Sequence, residues 1–150
     1  MRLSDAEQQL LLDEIPLFAR EARSEEMQAQ YQALLNEVRA GEVPDALLPL
    51  LERIVGLGLE TGRIRRVHTA HGEMAALRLF SRLPAGQALQ RQAEAANKAL
   101  APLQGQPIEE VRFAARGPGE HTLTLATPQY RISLVIDRDG VRVHNIEVLG

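Results

Sequence analysis

The spacing of apolar residues changes at Pro107. Before it, apolar residues recur every three or four positions, the period of a helix that packs by one face. After it, they alternate with polar residues, which is typical of half-buried strands. The pattern predicts one α+β domain over residues 1–150, with about five helices in 1–106. A four-stranded antiparallel β-meander follows in 107–150 and packs on helices by one face.

The first helices are marked by capping residues and by proline. Ser4 and Asp5 are favoured N-cap residues, and Pro16 predicts a break or kink in the helix that they begin. Apolar positions then fit one face of a second helix, Pro16 to Arg39, which Gly41 should end. The opposite face of this helix is polar, so we expect it to pack on one side only.

The third helix is apolar on nearly every side. Asp45 can cap it, and its composition predicts a central position in the fold. Its end contains Gly56, Gly58 and Gly62, a spacing that is similar to a dinucleotide-binding turn. That motif needs a second strand after the helix that follows, and none lies within reach. We therefore interpret Gly56 and Gly58 as sites of close backbone packing and Gly62 as a helix end.

Two further helical segments precede the sheet. The segment Arg63 to Leu83 has a helical stripe with a glycine in its middle, which predicts two short helices that meet at His71–Gly72. Pro84 ends this segment. The last helix is predicted over Ala85 to Leu100, where alanines on the inner side should permit close packing.

Turn signals divide the C-terminal third into four strands. They lie at Gly117–Gly119, at Thr127–Pro128 and at Asp137–Gly140, and glycine suits the positive φ of hairpin turns. In the last strand the apolar positions shift phase between Val143 and Ile146. One extra residue in a strand produces such a shift, so the sequence predicts a β-bulge near His144–Asn145.

The predicted polar face of the sheet carries arginines and hydroxyls. Guanidinium groups bind phosphate and carboxylate through a planar fork of donors, so this face is a candidate anion-binding surface. Exposed aromatic side chains, on which RNA-binding sheets stack bases, are not predicted there. The residues expected on the face are Arg112, Arg116, Thr122, Thr124, Arg131, Ser133, Arg142 and His144.

The net charge of −3 conceals a gradient along the chain. Residues 1–62 hold twelve acids and five bases, whereas residues 63–106 hold two acids and seven bases. In one interpretation the acidic first helices lie against the basic middle segment, in the same chain or in a second copy. In the other, the basic segment, including Arg63, Arg65 and Arg66, meets an anionic partner.

Composition limits the chemistry of the chain. Cysteine is absent, which excludes disulfides, thiolate zinc sites and thiol nucleophiles. No export signal or membrane-spanning segment is predicted, so we expect a cytoplasmic protein with no membrane partner. No serine lies in a nucleophile motif, and the carboxylate pairs fall at a strand entry and a turn. We therefore expect neither a cofactor nor an enzyme.

His68 and His71 are the only metal candidates. Three residues apart on one predicted helix, they should share a face, but two histidines without the H-E-x-x-H spacing hold a metal weakly. We expect instead that His71 is partly buried or interfacial and satisfies a hydrogen bond.

Two functional hypotheses of different classes follow, and the sequence suggests no known family. The first is a non-catalytic protein-interaction or regulatory protein, with self-association as one form of it. The second is a nucleic-acid or anionic-ligand binder. A metal-dependent enzyme at His68 and His71 is a third and weaker hypothesis. The second hypothesis would use Arg63, Arg65, Arg66, Arg112, Arg116, Arg131 and Arg142.

Overall fold

The computed structural model describes all residues from Met1 to Gly150 and contains helices followed by a four-stranded sheet. This order confirms the predicted α+β fold with a C-terminal meander, with six α-helices rather than about five. The helices are α1 (Asp5–Arg20), α2 (Glu25–Ala40), α3 (Leu48–Glu60), α4 (Arg63–Val67), α5 (Ala70–Arg82) and α6 (Pro84–Leu100). The strands are β1 (Glu110–Gly117), β2 (Glu120–Ala126), β3 (Tyr130–Asp137) and β4 (Gly140–Val148). Short 3-10 helices precede α3 at Asp45–Leu47 and follow α6 at Ala101–Leu103.

Residue contacts divide the chain into two compact units. We call Met1–Gly86 the helical unit and Gln87–Gly150 the sheet unit. The division falls inside α6, so most of this helix packs with the sheet although its sequence pattern resembles that of the helices before it. The boundary in packing therefore precedes the change of pattern at Pro107, and the single domain stays a prediction.

The core of the helical unit is aliphatic. A capping box formed by Ser4 and Glu7 starts α1, because each side chain accepts a hydrogen bond from the backbone N–H of the other. Each large side chain that is fully buried here stabilises the unit by roughly 1.5–3 kcal/mol relative to exposure. Fully buried members from α1, α2, α3 and α5 include Leu11, Ile15, Leu34, Val38, Leu51, Ile54 and Leu79.

Of the predicted break or kink at Pro16, the break is wrong, because α1 continues through the proline to Arg20. Burial of Ile15 before the proline and packing of Phe18 after it hold both halves against one core, which outweighs the hydrogen bond that proline removes. The chain instead interrupts its helix just before Ser24, whose hydroxyl caps α2. Gly41 ends α2 with a φ of 81°, as predicted.

The predicted junction at His71–Gly72 is also displaced. The helix breaks at His68, which has an extended backbone, and α5 begins at Ala70. Gly72 then lies in the first turn of α5, where a Cβ atom would stand 2.6 Å from the Cβ of His68. The glycine thus serves the junction by allowing α5 to approach His68 closely.

The glycines of α3 differ in their surroundings. A Cβ atom at Gly58 would lie 2.6 Å from Cδ1 of the buried Ile64, which confirms the close packing predicted there. Gly56 has more room, since its nearest neighbour would be Phe80 at 3.7 Å. Gly62 follows α3 with a φ of 68° and ends the helix as predicted.

The sheet unit is a regular meander with one bulge. Neighbouring strands pair antiparallel in the order β1-β2-β3-β4. Ser133 pairs with Asn145 and Leu134 with Val143, so His144 is the extra residue, and the predicted bulge is confirmed. Ala96 of α6 packs with Leu103 and with Ile132 and Leu134 of β3, at the centre of the apolar sheet face.

We predict opposite effects of alanine at the two glycines of α3. Alanine favours a helix by about 1 kcal/mol over glycine, so Gly56→Ala should raise the free energy of unfolding by about that amount. Gly58→Ala should lower it by about 1–2 kcal/mol, since the overlap with buried Ile64 exceeds this gain. Urea denaturation measures both. Equal stabilisation by the two substitutions would contradict the packing described at Gly58.

Candidate functional site

The apolar face of the sheet remains partly open at both edges. Helix α6 packs on β3, but the large apolar side chains of β1 and those of β4 after Val141 are exposed. Phe113 on β1 is 62% exposed and Val148 on β4 is 76% exposed. We call Val111 and Phe113 the β1 strip, and Val143, Ile146 and Val148 the β4 strip. Contiguous exposed apolar residues of this kind are candidates for an interaction surface.

The β4 strip lies beside an open strand edge. Strand β4 pairs with β3 on one side only, so its other side presents backbone groups that a further strand could bind. At the start of the strand, the side-chain oxygen of Gln92 accepts a hydrogen bond of 3.2 Å from the N–H of Val141. The edge beyond Val141 is the part available for pairing.

The strand register brings the predicted polar residues to one face. Arg112 of β1, Thr124 of β2 and Ser133 of β3 occupy one row across the strands. The hydroxyls of Thr124 and Ser133 lie 3.0 Å apart and hydrogen bond to each other. Arg131 and Arg142 lie on the same face in neighbouring rows, with Thr122. Arg116 falls at an irregularity of the register, and His144 is in the bulge.

Most arginines of this face have acidic partners. Arg131 of β3 lies 3.6 Å from both Glu147 of the neighbouring β4 and Glu110 of β1, which occupies the same row beyond Ala126 of β2. Arg142 pairs with Asp137 at 2.5 Å and Arg116 with Glu120 at 3.5 Å, whereas Arg112 forms no ion pair. The carboxylates beside the first three offset the charge of these arginines and occupy part of their donors, so they attract a phosphate less strongly than an unpaired arginine does. The face therefore offers one free guanidinium rather than a cluster.

A buried carboxylate organises the helical unit. Glu14 of α1 is 1% exposed and has two partners. The guanidinium of Arg63, at the start of α4, donates to Oε2, and Nε2 of His68 lies 2.8 Å from Oε1. The Arg63 guanidinium also stands over the ring of Phe18, 5.4 Å from its centroid. Both oxygens of the carboxylate are thus hydrogen bonded, as burial of a charge requires.

A second buried carboxylate lies two turns earlier on α1. Glu7 accepts hydrogen bonds from the backbone of Ser4 at 2.8 Å and from Arg82 of α5 at 2.6 Å. With Glu14, it places a paired acid at each end of the buried stripe of α1. Within the helical unit, the acidic α1 therefore lies against the basic segment of α4 and α5, the first of the two arrangements suggested by the charge gradient.

Sequence reasoning missed both carboxylates, although a signal was present. Glu7 and Glu14 are seven residues apart and share the helical stripe that contains Leu10, Leu11 and Ile15. An acid inside an apolar stripe must either break the pattern or find a buried partner. The basic segment 63–106 supplies these partners, since Arg63 pairs with Glu14 and Arg82 with Glu7.

The three arginines proposed in the middle segment have different environments. Arg63 is partly buried on Glu14, while Arg65 is largely exposed and lies 3.3 Å from Glu73. Arg66 is exposed and forms no ion pair. Arg63 and Arg66 line one cavity, and Arg65 does not.

The histidines are not placed as the sequence suggested. His68 ends α4 and His71 lies in the first turn of α5, so they do not share a helix, because the chain breaks between them. His71 is exposed and has no hydrogen bond within the chain, which contradicts partial burial, whereas its location in an interface stays a prediction. No three histidine, aspartate or glutamate side chains converge in a metal-binding arrangement. No helix is both long and apolar enough to cross a bilayer.

Comparison with known proteins adds no family to this description. The chain matches no protein-family model, and no curated protein or solved structure gives a significant match.

The burial of the Glu14–Arg63 pair predicts that removal of its two members lowers the free energy of unfolding by different amounts. Arg63→Gln leaves the buried carboxylate with His68 alone and should lower the free energy of unfolding by about 2–3 kcal/mol. Glu14→Gln should cost less, about 1–2 kcal/mol, because the remaining Arg63 reaches water. Arg65→Gln is the matched control on the same helix and should change stability by less than about 0.5 kcal/mol. Chemical denaturation of the three variants tests this order, and a cost for Arg63→Gln no larger than the control would refute it.

Proposed function

We propose that this chain is a non-catalytic protein-interaction protein that self-associates through the β4 edge of its sheet unit. The observation that supports this function is the β4 strip, three exposed apolar side chains beside an unpaired strand edge. A stable folded unit rarely leaves such a surface without a partner.

The sequence of β4 is complementary to itself. If two copies pair antiparallel about an axis between His144 and Asn145, Val143 of one faces the partner's Ile146. In the same register Arg142 faces the partner's Glu147. Residues opposite each other in an antiparallel pair point to the same face of a sheet, and each of these pairs meets that condition. Apolar side chains then meet on one face and opposite charges on the other.

The bulge favours a second copy over an unrelated strand. His144 adds one residue between Val143 and Ile146, so a regular strand that matched one of these residues would be out of phase with the other. A second copy carries the same extra residue at the same place. Its own bulge keeps both apolar pairs in register.

The expected association is weak. Burial of a large apolar side chain contributes about 1.5–3 kcal/mol when it is complete, and the six side chains of two β4 strips are on average about half exposed. They would supply on the order of 5–9 kcal/mol, against an association cost of about 4–15 kcal/mol. Backbone hydrogen bonds and the Arg142–Glu147 pairs add to the gain. We therefore expect a dimer in the micromolar range or weaker.

The first test removes the apolar contact. Sedimentation across a dilution series should show a monomer–dimer equilibrium for the native chain, and Ile146→Asp should abolish the dimer, because it places a carboxylate opposite Val143 of the partner. Val111→Asp is the matched control, since it changes the β1 strip in the same row of the sheet. A native chain that remains monomeric up to about 1 mM would overturn the proposal.

The second test reverses the charges of the facing pair. Arg142→Glu should weaken the dimer about tenfold, because two acids then face each other twice across the axis. The double variant Arg142→Glu/Glu147→Arg should restore most of the affinity, while Arg112→Glu on β1 should leave it unchanged. Circular dichroism controls for folding, since Arg142 also pairs with Asp137 in its own chain. If the double variant associates no better than the single one, the proposed register is wrong.

A further inference from the structure

A cavity of about 520 Å³ lies in the helical unit, between the end of α1, the end of α3 and the start of α4. This volume is within the range of small-molecule sites. Leu17 and Leu57 are each 39% exposed in a unit whose other large apolar side chains are mostly buried. The lining residues are Leu17, Phe18, Glu21, Leu57, Thr61, Arg63 and Arg66.

Arg63 is held in place at the wall of this cavity. Its Nη2 atom donates to Glu14, and its guanidinium stands over the ring of Phe18. The remaining donors of the guanidinium, on Nε and Nη1, have no partner in the chain. A cation fixed by two contacts loses little conformational freedom when it binds a ligand, which is the advantage of preorganisation.

Arg66 supplies the charge that Arg63 alone does not. Glu14 offsets the charge of Arg63, whereas Arg66 lies one turn further along α4 and forms no ion pair. Glu21 is the one acid that lines the cavity, and its side chain makes no hydrogen bond to the chain. The cavity thus combines an apolar wall with two guanidinium groups that have free donors.

We propose that this cavity binds a small amphipathic anion. The apolar body of the ligand packs against Leu17, Phe18 and Leu57, and its carboxylate or phosphate accepts hydrogen bonds from Arg63 and Arg66. Guanidinium groups recognise both anions through charge-assisted hydrogen bonds, and the apolar wall selects against anions without a hydrophobic body. The site lies wholly in the helical unit, so it is independent of the self-association proposed for the sheet unit.

The probe is octanoate, which carries an apolar chain and one carboxylate, with octan-1-ol as the uncharged equivalent. In a titration followed by amide NMR shifts, octanoate should shift signals of Leu17, Leu57 and Arg66 and should bind at least about tenfold more tightly than octan-1-ol. Octan-1-ol binding as tightly as octanoate, or octanoate shifts confined to other residues, would overturn the proposal.

Variants of the lining residues distinguish octanoate binding in this cavity from nonspecific binding to a charged surface. Arg66→Gln should weaken octanoate binding about tenfold, and Glu21→Gln should strengthen it a few-fold by removing a like charge. Arg65→Gln is the control, because Arg65 is on the same helix but does not line the cavity; its effect should stay within about twofold. If Arg65→Gln and Arg66→Gln weaken octanoate binding equally, the cavity is not a defined binding site. These substitutions leave β4 intact, so a failure here does not bear on the dimer.

A free amphipathic acid and an anionic lipid share the proposed chemistry. Phosphatidylglycerol vesicles added to the octanoate complex distinguish these sources. If the vesicles displace octanoate from the Leu57 signal, a lipid is the source, and if the complex is unchanged, a free acid is the source. Vesicle binding by a chain that does not bind octanoate contradicts the cavity as the site.

Discussion

The buried carboxylate of Glu14 sets the geometry of the helical unit. A charge that is 1% exposed is tolerated only when its oxygens are paired, and the two partners come from different elements. Arg63 must therefore reach α1 from α4, and His68 must reach it from the junction with α5. Gly58 of α3 permits this approach, because a Cβ atom there would meet Ile64 and would lie 3.7 Å from the carboxylate. The pair between Glu14 and Arg63 and the absent side chain at Gly58 thus allow α1, α3 and α4 to meet closely beside the aliphatic core.

The parts of this fold that could be predicted from the sequence depend on local pattern. The change of period at Pro107 separates helices from strands, and the phase shift between Val143 and Ile146 locates a bulge without any knowledge of the partner strand. The errors arise where tertiary burial opposes a local preference. Pro16 disfavours a continuous helix, yet the core contacts of Ile15 and Phe18 continue it.

The environments of the candidate arginines could not be predicted in the same way. The charge gradient selects Arg63 and the strand pattern selects Arg131, but neither names their partners, which lie on other elements and become neighbours only in the folded chain. The alternation of polar and apolar residues predicted a basic sheet face, whereas strand register determines that Glu110 and Glu147 lie on either side of Arg131. The distinction matters for function, because a paired arginine and a free one such as Arg66 differ in their capacity to bind an anion.

The helical unit buries charged side chains, whereas the sheet unit exposes apolar ones. The helical unit buries carboxylates, which costs solvation but requires one arrangement of partners, so the position of Arg63 at its cavity is defined. The sheet unit exposes apolar side chains at an edge where indiscriminate strand pairing is a hazard. The bulge at His144 and the charges of Arg142 and Glu147 restrict which strand can pair there, because a partner must match an extra residue and two opposite charges. In the proposed dimer, β4 of a second copy meets these requirements, so the features that disfavour unrelated strands at this edge favour a second copy.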